Sequence, residues 1–538
     1  KQPMILFAIL GVLLLGTLII LIWHSYRPNT ARSWVIAMVT TLIAWIASFV
    51  LRLYLPTEVN LVTWFPGSIF EEGLGFVVDY LNWPYMVAVL GMCVAALLTD
   101  TTRTESGISP YSWVQMTLIT GLNLLAILAA NPLTMAIAWM LIDLVELFML
   151  LRLSKAAELG SKIVNLFGIR ILSTFMLITA TSIAWQGQPF LGYEVMQPSA
   201  SVFFLIAAGL RLGVFPLNLP FLDSPELRRG AGTLFRLTPA ASALVLIAHL
   251  PAGLLIFNQN LVNVVQILTL IAAFYSSLMW FTRKTNYEAR VYWMVSLSAF
   301  AIQSALNGHP EASRVWGLGL LLSGSLLFLF NPPIRRIRFL PLLGLLGFIG
   351  LPYTLAASGW QGLLPGTFNF ISVIMIITHA FLVLGYIRYI FEAESTVTGL
   401  EKHARIAFPL GLVTLIQTIL VLGLVGWPDV LTVGNLLGSL GSLAVVLVGL
   451  VLGRQSGYRM GVAVLSRKIP FYRLISTVLN FFRKALSLSW VPDLINRAYK
   501  STAILIGFFS QILEGDGGIL WSVVFLLVLS ILFLFPGS

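Results

Sequence analysis

The chain is 538 residues long, 58% hydrophobic and only 10% charged, with a mean hydropathy of +0.93, whereas a soluble domain carries about 25% charged residues. That composition excludes an ordinary water-soluble protein and makes lipid the solvent, so the net charge of +11 reads as an orientation signal and not as a nucleic-acid footprint. One cysteine, Cys93, and five scattered histidines without His-x-x-His or His-Glu-x-x-His spacing argue against a disulfide framework, a cysteine-held cluster or a protein-held metal.

The predicted elements are helices, because a backbone in hydrocarbon must satisfy its own hydrogen bonds, and the period-2 alternation of an outer-membrane barrel is absent. Residues 4–23 form the first apolar run and end at Trp23-His24-Ser25-Tyr26 without a small-residue cleavage pattern, which reads as a first span and not as a signal peptide. In chain order, roughly sixteen spans follow, centred near residues 14, 44, 91, 121, 142, 175, 211, 244, 270, 298, 322, 348, 379, 415, 442 and 528. Odd-numbered loops carry the positive charge: Arg27 and Arg32, then Arg152, Lys155 and Lys162, then Arg283, Lys284 and Arg290, then Arg335, Arg336 and Arg338. Even-numbered loops hold Glu58, Glu71, Glu72, Glu194 and Asp429. The positive-inside rule then puts both termini outside a bacterial or archaeal cytoplasmic membrane. Residues 454–518 are basic and interrupted, with Arg467, Lys468, Arg473, Arg483, Lys484, Arg497 and Lys500 among apolar residues. Two readings stand for them: an amphipathic element lying along the membrane or a neighbouring subunit, and an ordinary cytoplasmic loop.

One stretch is distinctive. It runs Ala208-Gly-Leu-Arg211-Leu-Gly-Val-Phe-Pro216-Leu, then Phe221-Leu-Asp223-Ser-Pro-Glu226, then Leu234-Phe-Arg236-Leu-Thr-Pro239. It resembles the run of Gly-x-x-Lys, Pro-Leu, Leu-Pro-Asp-Ala-x-Glu and Leu-Ile-His in the antiporter-like subunits shared by respiratory complex I, membrane-bound hydrogenases and Mrp-type sodium/proton antiporters. Phe76-Val-Val-Asp79, Asn131 with Trp139, Gly350-Leu-Pro352-Tyr-Thr354 and Leu384-Gly-Tyr-Ile-Arg388 are similar to further motifs of that family, and the long pre-terminal segment is similar to its distal complex I member. The resemblance implies an all-α polytopic protein of about 14–16 transmembrane helices. It divides into N-terminal spans (1–111), two inverted five-helix repeats (112–257 and 260–392), further spans (393–453), the lateral segment (454–518) and a last span (519–538). It also implies sibling antiporter-like subunits as partners, no nucleic acid and no cofactor in this chain. Helix breaks are expected at Pro216, Pro239 and Pro352, since proline removes a backbone donor.

Ionisable residues inside spans are candidates for an ion path, because each is costly there. Asp143 and Glu146 are three apart on one face of the fifth span, one turn beyond Met140, which stands where the family has its acid. Arg211 stands at the family's central lysine and Arg236 at its His or Lys; arginine stays charged and cannot exchange a proton as lysine does. Lys162 and Arg170 flank or enter the sixth span, and snorkelling accounts for Lys162. In the second repeat, Asn286-Tyr-Glu288-Ala-Arg290 displaces a basic residue. The eleventh span offers only Ser323 and Ser325, and Ser358, Gly359 and Trp360 stand where a lysine is expected. His379 is either a proton relay or a hydrogen-bonded core residue. No Walker, dinucleotide or Gly-x-Ser-x-Gly motif is present. Two functional expectations remain: an ion-conducting subunit of a multisubunit translocase, or a scaffold that keeps the antiporter fold without conducting.

Overall fold

The computed structural model describes residues 2–26, 30–60, 74–100, 111–153, 157–185, 193, 198–215, 229–250, 259–283, 285–330, 337–364, 370–392, 402–425, 431–455 and 523–527. The chain divides into residues 1–476 and 477–538; of the second unit, residues 523–527 form an exposed apolar helical turn. The expected lateral segment, apart from its first two residues, lies outside the described residues, as does Pro216.

The first unit is an all-α membrane bundle. Among the described residues, eleven helices are long and apolar enough to cross a bilayer. Helices α1 (Gln2–Tyr26) and α2 (Thr30–Leu51) lead into a short antiparallel hairpin, β1 (Thr57–Asn60) and β2 (Gly75–Val78). Then come α3 (Trp83–Asp100), α4 (Tyr111–Ile127), α5 (Pro132–Leu153), α6 (Ala157–Trp185), α7 (Pro198–Leu212) and α8 (Arg229–Ala248). A second series follows: α9 (Gln259–Thr282), α10 (Asn286–Leu306), α11 (Pro310–Leu329), a discontinuous element with α12 (Phe339–Leu343) and α13 (Gly359–Leu363), and α14 (Phe370–Glu392). Helices α15 (Lys402–Leu424) and α16 (Val433–Gln455) end the described series.

The hairpin was not expected from the sequence. Its β2 edge docks on the α4–α5 turn, where Val77 donates to the Leu128 carbonyl at 2.8 Å and Ala130 donates to Gly75 at 2.9 Å. That turn is itself fixed by sequence: Asn131 Oδ1 accepts the Thr134 N–H at 2.8 Å, an N-cap immediately before Pro132 at the first helical position. The end of the bundle that carries this junction is called the hairpin face below.

Helices α3, α8 and α11 form the centre, their apolar windows wholly buried. Helix α3 packs on α2, α4, α8, α11 and α15. Such closeness needs small residues, since in lipid packing contacts, rather than exclusion from water, bring helices together. At Gly91 an added Cβ would lie 3.1 Å from both Trp45 Nε1 and Thr418 Oγ1. Outer faces, with Leu15 and Leu18 on α1, Ile43 and Ile46 on α2, and Phe148 and Phe175 on α5 and α6, stay exposed and suit hydrocarbon.

Discontinuity arises in two ways. Helix α7 ends at Leu212 because Gly213 takes a left-handed φ of 74°, and the Val214 and Phe215 N–H groups turn back to the Gly209 carbonyl at 2.9 and 3.3 Å. In the second series, residues 348–358 run non-helically between a 3-10 turn (Gly344–Gly347) and α13, with Gly350 at φ 76°, Pro352, and Tyr353 at φ 63°. Neighbouring side chains take up exposed carbonyls: Ser323 donates to Gly344 at 2.7 Å, Tyr386 to Pro341 at 2.9 Å, and Trp316 to Gly359 at 2.9 Å. Pro239 differs from the expectation of a break: α8 continues through it from Arg229 to Ala248. Packing against α3, α4, α7 and α11 holds the helix together, so one missing donor does not end it.

Candidate functional site

The α5 spacing places Trp139, Asp143 and Glu146 along one helix face, and α6 and α7 each bring one arginine to it. Arg211, in the last turn of α7, sets both terminal nitrogens against both Asp143 carboxylate oxygens at 2.8–3.2 Å. Its guanidinium also lies over the Trp139 ring, 4.2 Å from the centroid. Arg170, from the middle of α6, donates to Glu146 and stands 3.7 Å from Asp143 Oδ1. The result is a continuous row, Glu146–Arg170–Asp143–Arg211, two charges of each sign, every member buried. Balanced pairing is what permits four charges inside a span, and the position of Arg211 at a helix C-terminus favours its charge further.

The row continues by a hydrogen bond. Trp139 Nε1–H donates to Ser242 Oγ on α8 at 2.8 Å, and the Ser242 hydroxyl donates to the Pro239 carbonyl at 3.1 Å. The close return of the chain after α7 depends on Gly209, where a Cβ would fall 2.0 Å from Phe215 Cδ2. Chemically, the carboxylates can take a proton while the arginines remain fixed countercharges, so the row can change its net charge at Asp143 or Glu146 alone.

The other sequence candidates lie elsewhere. Arg236 is buried in α8, and no ion pair among the described residues joins it to Asp143 or Glu146. His379, on α14, is fully buried among Trp360, Trp316, Phe348 and Phe300, with ring centroids 5.0–6.2 Å away. Its Nε2 meets the Phe348 carbonyl at 2.8 Å and its Nδ1 the Ser442 hydroxyl at 2.6 Å, so the ring pins the non-helical stretch that contains Pro352. Arg170 was missed as a member of the row; its mid-span position in an apolar helix was the available signal.

In the second series two buried arginines have phenol and carbonyl partners. Arg290 donates to Tyr389 Oη from Nε at 2.9 Å and Nη2 at 2.8 Å, and lies over the Phe328 and Tyr287 rings. Arg388 donates to the Trp280 and Arg283 carbonyls. The acid in that neighbourhood, Glu288, pairs with Arg283 at 3.2 Å on an exposed edge.

The same fold is found in two solved membrane complexes. A chain of the Mrp complex from Dietzia sp. DQ12-45-1b superposes with a TM-score of 0.72 at 13% identity, over 100% of this chain and 63% of that one. A chain of the membrane-bound sulfane sulfur reductase, an archaeal respiratory membrane complex, superposes with a TM-score of 0.64 at 13% identity, over 99% and 100% respectively. This chain thus spans less than two thirds of the Mrp chain's length. No protein-family model matches the sequence, and no curated protein matches it.

Proposed function

We propose that this chain is an antiporter-like subunit of a multisubunit, ion-translocating membrane assembly, related to those of Mrp and respiratory complexes. In this reading its first series of helices carries a proton or sodium response through Asp143 and Glu146. The observation that carries it is the buried four-charge row on α5, α6 and α7, in a fold also found in an Mrp complex and in an archaeal respiratory membrane complex. A purely structural role would not call for four charges at that depth, since apolar replacements pack as well and need no desolvation. Arg236, Pro216 and the basic residues of 454–518 belong to the same reading as parts of the path and of the interface with neighbouring membrane subunits. The basic odd-numbered loops would face the cytoplasm.

Flux of protons and sodium into vesicles holding the intact assembly, compared with Asp143→Asn, tests it. Loss of flux with assembly retained is expected; flux equal to that of the unaltered protein would refute the path. Mass spectrometry of the mildly solubilised protein should find other antiporter-like membrane subunits, and a chain that purifies alone would remove the assembly from the proposal.

A second reading, a scaffold or conformational relay, is favoured by one observation. His379 and Arg290 of the second series are spent on carbonyl and hydroxyl partners, and the ion pairs of that half among the described residues, Arg283–Glu288 and Arg314–Glu311, each use a half-exposed carboxylate and not a buried one. Under it, removal of 454–518 would detach a neighbouring subunit while Asp143→Asn left flux unchanged.

A further inference from the structure

His249 follows directly on the C-terminus of α8, at the hairpin face, and Asp79 lies between β2 and α3 at the same face. Their side chains meet, His249 Nε2 to Asp79 Oδ2 at 3.3 Å. The other imidazole nitrogen, Nδ1, sits 2.9 Å from the Val245 carbonyl. A carbonyl only accepts, so Nδ1 carries the hydrogen. In the neutral ring Nε2 therefore presents a lone pair to a carboxylate oxygen, and uptake of one proton at Nε2 turns that opposition into an N–H⁺···O⁻ bond. The C-terminal end of α8 favours the same positive charge.

Asp79 is built for the charged form. Its Oδ1 accepts the Leu81 and Asn82 N–H groups, both at 2.8 Å. Burial alone would raise its carboxyl, but the His249 hydrogen bond and charge and the Asn82 and Leu81 N–H groups together hold it below the usual carboxylate range. Ionisable groups at this junction include Tyr193, whose ring is 5.1 Å from His249, Tyr80 beside Asp79, and Arg314 of α11, whose charge interacts with Asp79 and Tyr85. Arg314 donates to the Tyr80 carbonyl at 2.6 Å and has Glu311 at 3.7 Å. Solvent reaches the pair, since the His249 side chain is 11% exposed and that of Asp79 29%.

The pair also lies at one end of a seam that leads to the buried row. Ser242, Val245 and His249 share one face of α8, and Met135, Trp139, Asp143 and Glu146 share one face of α5. Two rungs join those faces: the Trp139–Ser242 hydrogen bond, and Tyr193, which touches His249 and directs its hydroxyl to Met135 Sδ at 3.7 Å. His249 is seven positions beyond Ser242, about 10 Å along the axis.

We propose that His249 and Asp79 form a proton-binding site at the hairpin face, where the α5–α8 seam exchanges protons with solvent. The bound proton comes from water and sits on Nε2, shared with Asp79 Oδ2; no other bond changes. Its onward use by the row rests on the ion-translocating reading above, whereas the binding itself does not.

The test is ¹⁵N NMR of histidine-labelled, full-length protein in lipid nanodiscs across a pH series, the His249 signal being assigned by its loss in His249→Gln. Asp79→Asn keeps an oxygen acceptor for the Leu81 and Asn82 N–H groups of the turn before α3 and removes only the charge. The expected result is a Nδ1–H neutral tautomer and a titration that moves to lower pH in Asp79→Asn. A His249 that stays neutral throughout, or titrates identically in both proteins, overturns the proposal. Vesicle flux separates the two levels: His249→Gln should reduce proton flux roughly tenfold. A titrating His249 in a protein whose flux is absent, or indifferent to Asp143→Asn, leaves the site standing and removes the translocating role. Flux lost in Asp143→Asn but untouched by His249→Gln removes the site from the path.

Discussion

Neutralising Asp143 is the sharpest perturbation of the charged row. Asp143→Asn leaves Arg211 facing no carboxylate at bonding distance, because its ion pair among the described residues is with Asp143 alone. Unit charges about 4 Å apart at an effective dielectric near 20 interact by about 4 kcal/mol, and breaking one partner of a buried pair costs about 3–5 kcal/mol. Arg211→Met is expected to cost less. The stranded Asp143 still has Arg170 at 3.7 Å, and the lost contact with Trp139 adds about 1 kcal/mol. The double substitution removes one charge of each sign and leaves the Glu146–Arg170 pair, so its cost should fall below the larger single cost. The assay is unfolding of the full chain in mixed micelles by an anionic detergent, read by tryptophan fluorescence, closed as a double-mutant cycle. A coupling of about 2 kcal/mol or more is expected, with Asp143→Asn the worse single change. Single costs that simply add, within about 0.5 kcal/mol, would refute the inference that the two side chains stabilise one another.

Arg211→Lys replaces a fixed fork with a titratable point charge; vesicle proton flux should rise severalfold while stability falls by about 1 kcal/mol, and unchanged flux would mean that the arginine is not what limits exchange. His379→Ala strands the Phe348 carbonyl and the Ser442 hydroxyl that the ring now engages; unfolding should show a loss of about 1–3 kcal/mol per stranded group, with proton flux unaffected. Gly385→Ala would set a Cβ 2.3 Å from Trp280 Cδ1 and should cost about 1–3 kcal/mol. Gly168→Ala meets nothing within 4 Å and should stabilise α6 by about 0.5–1 kcal/mol. Asp79 is depressed in the folded protein, so its stabilisation is present above the unfolded carboxyl value of 3.8 and is lost as pH falls below it. Proteolysis of the hairpin face should therefore rise only in acid, and Asp79→Asn should abolish that rise.

Much of the bundle was legible because hydrocarbon imposes a simple rule on sequence. Each of the sixteen apolar centres falls in or beside a described helical element, since spans must be long, apolar and self-satisfied. The Asp143–Glu146 face and its partner Arg211 were legible for a related reason: a charge at that depth has to be matched. Arg170 was hidden because its carboxylate partners lie on a different helix, and spacing along α6 does not show which acids it meets. Pro239 misled because a proline reports a missing donor, whereas continuity is decided by what surrounds the helix. The hairpin pairs Thr57–Asn60 with Gly75–Val78, and the His249–Asp79 contact joins residues 170 positions apart; neither periodicity nor spacing carries that information.

Each helix series is interrupted, the first after α7 and the second between α11 and α14, and the two interruptions are closed with different chemistry. In the first, α7 ends beside Arg211, and carboxylates on α5 hold that cation. In the second, the non-helical stretch near Pro352 is held by His379, Ser323 and Tyr386, and the nearby cation Arg290 is held by a phenol. Phenols and hydroxyls fix a backbone as well as charges do, but they give up protons only at far higher pH. The second series is thus suited to hold a conformation, and the first to change its charge. A proton that enters this chain has carboxylates to receive it on α5 and, at the hairpin face, a histidine paired with an acid. Beyond Ser242 towards the second series, the carboxylates in ion pairs among the described residues, Glu288 and Glu311, are half exposed at helix starts and not buried in a row. Any onward transfer would then pass to a neighbouring subunit or return along the α5–α8 seam, which is why flux in the intact assembly, and not in the isolated chain, is the decisive measurement.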